Sequence, residues 1–580
     1  MDKQLSRCGL GRIVSFLVAV AAAAGAVTER VWLLAALALA ALAVFTLLVR
    51  RSQRANEQKS LAASRRAVAE TLVSRMDGSW QKHGPTGAAY LTDDFPPGRD
   101  LDIFGPGSLY QYLSLSHTPW GQEALHRLLT ESARAGDPQT LAAARSRQEA
   151  VRELLDKKDF VLEFAAQSRL LGAGKAFSAQ NMEDFLDSAP GSWPRPVVLI
   201  FWAFPAVTLA LLALATAGSV SYLPFGLCFL AQLAARLVAS KPVGLALSPL
   251  AAFRRGLRHI APLLTLIERE QFDSAHLREL RAPLLAKGGA ARAVADLTAI
   301  EDMAAWRFQP FAYFLVTGLL MWDFHAANRL LAWKTLHASE LTSWLAAIGE
   351  MEALLSLATV GFAQNTHCFP EISAAEKPRL YMDELSHPLL DPDTAVPNSL
   401  TLTDGVCVVT GSNMSGKTTF LRSIGLALVL TYAGAPVCAR GFSATGLRLF
   451  SSLRVSDNVN QGISTFYAEI LRIRAMAEYS ARQAPMLALI DEIYKGTNTA
   501  DRVIGAEATL RKMSAPWIIC VVSTHDFELC DLEKDEEVKA RNYHFAESYA
   551  GDELLFDYKL RPGRCQTTNA RHILRMAGLL

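Results

Sequence analysis

Paired cysteines are missing from this chain. Its eight cysteines (positions 8, 228, 368, 407, 438, 520, 530 and 565) include no C-x-x-C pair, so the spacing used by zinc ribbons and dithiol redox motifs is absent. Several sit inside apolar runs and read as reduced, packed thiols. Charge is scarce as well: 20% of the 580 residues are charged, against 51% hydrophobic. With a net charge of +2, no global basic field points to nucleic acid. A mean hydropathy of +0.17 suggests membrane segments. The length allows several domains.

The apolar residues are concentrated in blocks. Ile13 to Val27 holds 15 residues without a charge, Thr28-Glu29-Arg30 interrupts, and Val31 to Val49 adds 19 more. Lys3, Arg7 and Arg12 precede the pair, and Arg50, Arg51 and Arg54 follow it. This predicts a membrane hairpin with a short outer turn, and the flanking cations favour both ends in the cytoplasm. A secretory signal peptide competes for the first run, but a second apolar run follows directly. Val197 to Ala217 gives another 21 uncharged residues, Gly218-Ser219-Val220-Ser221 turns, and Tyr222 to Ala235 returns before Arg236 and Lys241. A second membrane hairpin is expected there, its return half weakened by Gln232. Two hairpins place every large soluble segment on one side.

Between the hairpins the pattern is helical. Thr118-Pro119 reads as an N-cap followed by proline at the first helical position, and Arg147 to Leu155 as an amphipathic helix. Beyond the second hairpin, Phe253 to Arg281 is helical in pattern. Trp322, Trp333 and Trp344 recur every 11 residues, which keeps them near one helix face and predicts a core stripe. The apolar run Tyr313–Trp322 is too short to span a bilayer. From about Pro378, opening with His387-Pro388-Leu389-Leu390, short strands alternate with helices as in an α/β nucleotide-binding domain.

That last region carries the chemistry. Gly411-Ser412-Asn413-Met414-Ser415-Gly416-Lys417-Thr418 fits G-x-x-x-x-G-K-[ST], between a buried strand (Val406–Val409) and a helix (Thr419–Ala427). Such a loop turns backbone N–H groups toward phosphate oxygens; Lys417 reaches the β- and γ-phosphates, and the Thr418 hydroxyl ligates Mg²⁺. Met486-Leu487-Ala488-Leu489-Ile490 is a strand ending in Asp491-Glu492, 73 residues after Thr418. Asp491 suits the Mg²⁺ role and Glu492 the orientation of attacking water. Val521-Val522-Ser523-Thr524-His525 is a further strand ending in polar residues; in related transporter ATPases a histidine here senses the γ-phosphate. Gln461-Gly462-Ile463-Ser464-Thr465-Phe466 precedes a helix carrying Glu469. Its start could face an anion, although on sequence physics alone an ordinary capped helix is the better reading.

Together these stretches resemble the MutS family of DNA mismatch repair ATPases. Asn413-Met414 matches the hallmark of its phosphate loop. Asp491 to Thr499 is similar to its acidic strand and following loop, Ser464-Thr465-Phe466 with Glu469 to its signature segment, and Ser523-Thr524-His525 to its histidine switch. The likeness covers roughly residues 385–580. A weaker likeness to the family's helical core runs through Gly107-Ser108-Leu109 and Thr118-Pro119-Trp120-Gly121. The resemblance implies a homodimer in which Ser464 and Thr465 of one subunit complete the site around Lys417 of the other. It implies ATP and Mg²⁺ as cofactors. ATP would be held by Gly411, Ser412, Asn413, Met414, Ser415, Gly416, Lys417, Thr418 and Thr419, and the metal by Thr418 and Asp491. Glu492, Lys417 and His525 would act in hydrolysis.

Two departures qualify the resemblance. Mismatch-reading members carry an N-terminal domain with a Phe-x-Glu wedge, where this chain has the first apolar hairpin; neither that domain, the connector nor an appended nuclease domain is expected. Many members also place an aromatic against adenine just before the equivalent of Val396-Pro397-Asn398, where this chain has Ala395. Tyr558 is the candidate to stack in its place.

The expected fold class is α plus α/β, multidomain. It comprises a transmembrane hairpin (1–58), a soluble helical segment (59–190), a second transmembrane hairpin (191–243), a helical core or lever segment (244–378) and an ABC-type P-loop ATPase domain (379–580). The expected function is a membrane-anchored, MutS-like ATPase, multi-pass in a bacterial-type inner membrane with its ATPase domain in the cytoplasm, whose partner is DNA gripped without base reading. The alternatives are an ATP-driven membrane scaffold acting on unidentified protein partners and an ABC-transporter-like ATPase. Against the last, the transporter signature Leu-Ser-Gly-Gly-Gln is missing.

Overall fold

The structure is a computed structural model, and it describes residues 2–29, 32–172, 185–186, 193–252, 254–308, 319–375, 377–412, 414–454, 465–495, 498–550 and 553–565. The first apolar block forms helix α1 (Asp2–Glu29) and the start of α2 (Trp32–Met76). The two run antiparallel: Gly11 lies against Leu48, Phe16 against Phe45 and Gly25 against Leu34. Small residues at the seam let the helices approach closely, while Leu17, Leu33, Leu39 and Leu47 point outward, 60–80% exposed. Helix α2 then continues past its apolar part without a break. Its far end is tied into the next body: the Ser64 hydroxyl donates to the Ala166 carbonyl at 2.7 Å. Arg75, 2% exposed, donates to the carbonyls of Tyr112 and Ser114.

That body is built from α3 (Pro119–Arg134), α4 (Pro138–Asp156), α5 (Lys158–Gly172), α6 (Arg195–Thr216), α7 (Tyr222–Ala252), α8 (Arg254–Arg269), α9 (Ala290–Ala304) and the long α10 (Trp322–Ala363). Thr118 caps α3 as expected, accepting from the Gly121 amide at 3.1 Å, with Pro119 at the first position. Asp137 caps α4 through the amides of Gln139 and Thr140, both at 3.0 Å. The tryptophan stripe belongs to α10: Trp333 and Trp344 are buried, and the Trp333 indole donates to the Ala293 carbonyl at 2.7 Å. Helices α6 and α7 form the second apolar pair. Thr208 donates to Gln232 at 2.7 Å, and Gln232 donates onward to the Leu319 carbonyl at 2.9 Å. The return helix is longer than its apolar part suggests, running to Ala252 through Pro242 and Pro249. Continuous helices therefore cross positions 58/59 and 243/244.

Five described helices are long and apolar enough to cross a membrane: α1, α2, α6, α7 and α10. In α10 72% of the apolar window is buried inside the protein, against 6–22% in the other four. The core stripe is thus a core helix.

The C-terminal region is α/β. Its strands are β1 (Glu371–Ser373), β2 (Arg379–Leu385), β3 (Asn398–Thr403), β4 (Gly405–Thr410), β5 (Gly441–Thr445), β6 (Arg448–Ser452), β7 (Met486–Asp491), β8 (Ile518–Thr524), β9 (Ala540–Ala550) and β10 (Glu553–Pro562). A four-stranded sheet has the order β1-β5-β2-β3 and a six-stranded sheet the order β10-β9-β4-β8-β7-β6. In the larger sheet β9, β4, β8, β7 and β6 are mutually parallel, and β10 is antiparallel at the edge. Its central strands are buried on both faces, as parallel sheets require. Cys407, Val409, Leu487 and Leu489 face the helical body and share one core with it. Val406, Val408, Ala488 and Ile490 face the other way, toward Met476 of α12 (Thr465–Ser480) and Leu510 of α13 (Thr499–Lys512). Helix α11 (Lys417–Ala433) follows β4. No disulfide joins the cysteines, and 407, 438, 520, 530 and 565 are buried, as packed thiols should be.

Candidate functional site

Strand β4 delivers the glycine-rich loop at its carboxyl end, where ligands of open α/β sheets bind. Gly411 has φ 151° and Gly416 φ 100°. A side chain at Gly411 would meet the Ser415 hydroxyl at 2.7 Å, and one at Gly416 the Tyr558 ring at 3.1 Å. Only glycine fits this cradle. The Lys417 ammonium folds back over the loop, donating to the carbonyls of Gly411 and Ser412, both at 2.8 Å. Burial lowers its pKa, with Asp491 and Glu492 opposing the shift. The hydroxyls of Ser412 and Ser415 are buried and have no hydrogen-bond partner among the described residues. Buried polar atoms without partners are costly, and these lie where the motif predicts phosphate oxygens. Met414 is exposed with φ 74°, and Thr419 lines the adjoining cavity. Asn413 lies outside the described residues.

Strands β7 and β8 bring the acids to the same place. Asp491 and Ser523 are register partners. The Asp491 carboxylate accepts from the Thr418 hydroxyl at 2.7 Å through one oxygen and from the Ser523 hydroxyl through the other. The two residues expected to hold Mg²⁺ therefore meet, and their oxygen set suits a hard cation. Glu492 follows in the left-handed region, φ 51°, a conformation that side chains larger than Asn seldom adopt and that turns this one off the strand line. One carboxylate oxygen lies 2.9 Å from His525 Nε2, the other 2.6 Å from the Lys495 ammonium. The His525 hydrogen bond, then Lys495, pull the Glu492 pKa down to about 2 against its partial burial.

Beside the loop lies a cavity of about 570 Å³, lined by Lys417, Thr418 and Glu492 and by His387, Ala395 and Tyr558. Tyr558 is presented by a break in register between Phe556 and Leu560 of β10, with φ 53°. Asn398 fixes this bulge, donating to the Tyr558 carbonyl at 3.0 Å and accepting from the Leu560 amide at 2.7 Å. Ala395 and Tyr558 thus line one cavity, as an exchange of aromatic positions requires. His387, Asn398 and Lys495 are given no site role by sequence; Asn398 meets Tyr558 across 160 positions, and the turn after β7 brings Lys495 to Glu492.

The signature segment divides. Ser464 lies outside the described residues, and Thr465 opens α12. Glu469, on that helix, is 5% exposed and accepts from the Tyr494 amide at 2.6 Å, tying α12 to the turn that carries Glu492. Burial raises the Glu469 pKa.

The family model for MutS domain V matches residues 407–579. A DNA mismatch repair protein MutS from Natronomonas pharaonis is 34% identical over 239 residues, 40% of this chain and 27% of that protein. The protein of that name from Roseiflexus sp. is 32% identical over 220 residues, 35% and 20% of the two chains. The one from Methanococcoides burtonii is 30% identical over 257 residues, 42% and 28%. The chain therefore spans only about a quarter of the length of these curated relatives. Within that span, its C-terminal part belongs to the MutS family.

Proposed function

We propose that this chain is a membrane-anchored, MutS-like ATPase that binds and hydrolyses ATP at a site completed by a second copy of itself. The observation that carries the reading is the meeting of Lys417, Thr418 and Glu492 at one cavity, with Asp491 bonded to Thr418, beside a loop with two orphaned hydroxyls. The loop amides and Lys417 would hold the phosphates, and Ala395, His387 and Tyr558 the nucleoside end. Mg²⁺ on Thr418 and Asp491 would supply charge neutralisation at the phosphate oxygens. Glu492, whose carboxylate is held by His525 and Lys495, would orient the attacking water. The test is ATP turnover by the purified full-length protein: Glu492→Gln should keep nucleotide affinity and lose roughly 10²–10⁴ in kcat. Unchanged turnover would remove Glu492 from the chemistry.

A second subunit offering Ser464 at this cavity would exclude water from it. Mixing Ser464→Arg and Lys417→Ala proteins rebuilds one intact composite site per heterodimer, and activity should return. Heterodimers without activity would refute action in trans. The names of the relatives tie them to DNA mismatch repair, and we infer backbone-level DNA binding for this chain. Affinity should then fall steeply with salt and ignore sequence. Retention by membranes with no DNA affinity would favour a scaffold acting on protein partners. The exposed apolar helices α1, α2, α6 and α7 support a membrane location.

A further inference from the structure

Three consecutive residues from outside the α/β domain are seated in it. Asp100 is wholly buried, and its carboxylate accepts from the Ser451 hydroxyl at 2.8 Å and from the amides of Leu453 and Arg454 at 3.1 and 3.3 Å. Arg472 Nη1 lies 3.0 and 2.8 Å from its two oxygens. These donors belong to the end of β6, the two residues beyond it, and α12. Leu101, 0% exposed, fills a notch over Gly425 of α11, where a Cβ would come within 2.8 Å of its methyl carbons. Asp102 bridges two elements, pairing with Arg422 of α11 at 3.2 Å and with Arg454 at 2.5 Å.

The placement of these partners matters more than their number. Arg422 stands five residues after Lys417, on the helix that begins at the glycine-rich loop. Arg454 and Arg472 flank the stretch that holds Ser464. Two carboxylates separated from the loop by some 300 residues of chain therefore brace the phosphate-loop helix against the signature helix. Exposed ion pairs contribute little, but Asp100 is not exposed, and its loss would leave a guanidinium, two amides and a hydroxyl without their acceptor.

We propose that Asp100 and Asp102 are positioning residues for hydrolysis: helices α11 and α12 reach their working spacing only with residues 100–102 docked. The proposal rests on the ATPase reading above. Neither carboxylate touches substrate; each acts through Arg422, Arg454 or Arg472. Nucleotide binding, at a cavity that neither carboxylate lines, survives their loss, while the hydrolytic geometry does not.

The test uses the full-length protein with Asp102→Asn and Asp100→Asn. Asparagine tolerates the positive φ of 55° at position 102 as well as aspartate does. Labelled-ATP affinity and KM should stay within about threefold of wild type while kcat falls roughly 10- to 100-fold. Without nucleotide, hydrogen exchange across residues 465–480 should be faster in Asp100→Asn. Unchanged kcat in both variants, or a fall in kcat matched by an equal loss of affinity, overturns the proposal. If Asp100→Asn fails to fold, Asp102→Asn, whose side chain is 28% exposed, decides. A wild-type protein that does not turn over ATP defeats the ATPase reading; the exchange measurement then still decides whether residues 100–102 position α12.

Discussion

Helices α7 and α10 are both long and apolar enough to cross a membrane, yet 6% of the apolar window is buried in the first and 72% in the second. Composition therefore does not tell an outward-facing helix from a core helix. Their polar and small residues do. In α10, Glu352 is 1% exposed and accepts from the amides of His117 and Thr118 at 2.8 and 3.2 Å and from the hydroxyls of Thr118 and Ser168. Ser356 accepts from the Leu115 amide at 2.9 Å, and Thr359 donates to the Leu113 carbonyl at 2.9 Å. Gly349 and Gly361 admit Trp120 and Leu155. Helix α10 carries a continuous polar and small-residue seam written for protein neighbours. Helix α7 has Gln232 on its inner side, while Leu223, Leu227, Leu230, Leu237 and Val238 are 60–84% exposed.

The largest test of this contrast places one charge on each kind of helix. Leu354→Asp, at a position 0% exposed in α10, buries an unpaired carboxylate and should cost above about 4 kcal/mol, enough to abolish folded protein on a thermal melt. Leu39→Asp, at a position 69% exposed in α2, should leave ATP turnover intact and weaken bilayer insertion by about 2.5–3.5 kcal/mol. Carbonate extraction of membranes reads this difference. Release of the intact wild-type chain would refute the membrane assignment of α1, α2, α6 and α7.

The second test removes the anchor of the α10 seam. Glu352→Leu keeps the volume and leaves two amides and two hydroxyls without an acceptor, at a cost of about 2–4 kcal/mol in denaturant unfolding. Glu352→Gln should cost less, since an amide oxygen still serves most of the donors. Burial pushes the Glu352 carboxyl up to about 7 despite these donors. An acid whose pKa rises on folding holds its proton more tightly in the folded state. Its contribution is therefore full below its ordinary value of 4.5 and is lost as pH rises through about 7. Glu352→Gln should flatten stability across that window; an unchanged slope would assign it to other groups.

The smallest expected effect belongs to the outward-facing pair. Gln232→Leu removes the bridge from Thr208 to the Leu319 carbonyl. Polar contacts between apolar helices average about 0.6 kcal/mol, so thermal stability in detergent should shift only slightly. A loss as large as that of Glu352→Leu would make α6 and α7 part of the core after all.

Features legible in the sequence were those in which local pattern and function coincide. The glycine-rich loop, the acids closing β7, His525 after β8 and the Thr118 cap each declare themselves within a dozen residues, and the tryptophan stripe within about two dozen. Helix ends were less legible. Nothing between Leu48 and Met76 breaks a helix, so the change from apolar to polar residues marks a change of surroundings without a change of backbone. The bracing of α11 and α12 by Asp100 and Asp102 was not legible, because its partners lie some 320 to 370 residues away. The Tyr558 bulge is set by Asn398, 160 positions earlier. Ser464, the position on which action in trans depends, lies outside the described residues and rests on the resemblance alone.

The unbroken course of α2 sets a mechanical length. At 1.5 Å per residue its 45 residues make a rod of about 68 Å. From the buried clamp at Arg75 to Arg50, at the foot of the apolar part, is about 38 Å. A tilt of about 5° at the clamp displaces the far end by about 3 Å over that distance. The helix is therefore a stiff arm: small rotations of the body that holds Arg75 become displacements of atomic size at the apolar hairpin, and a force on the hairpin returns to the same clamp as torque.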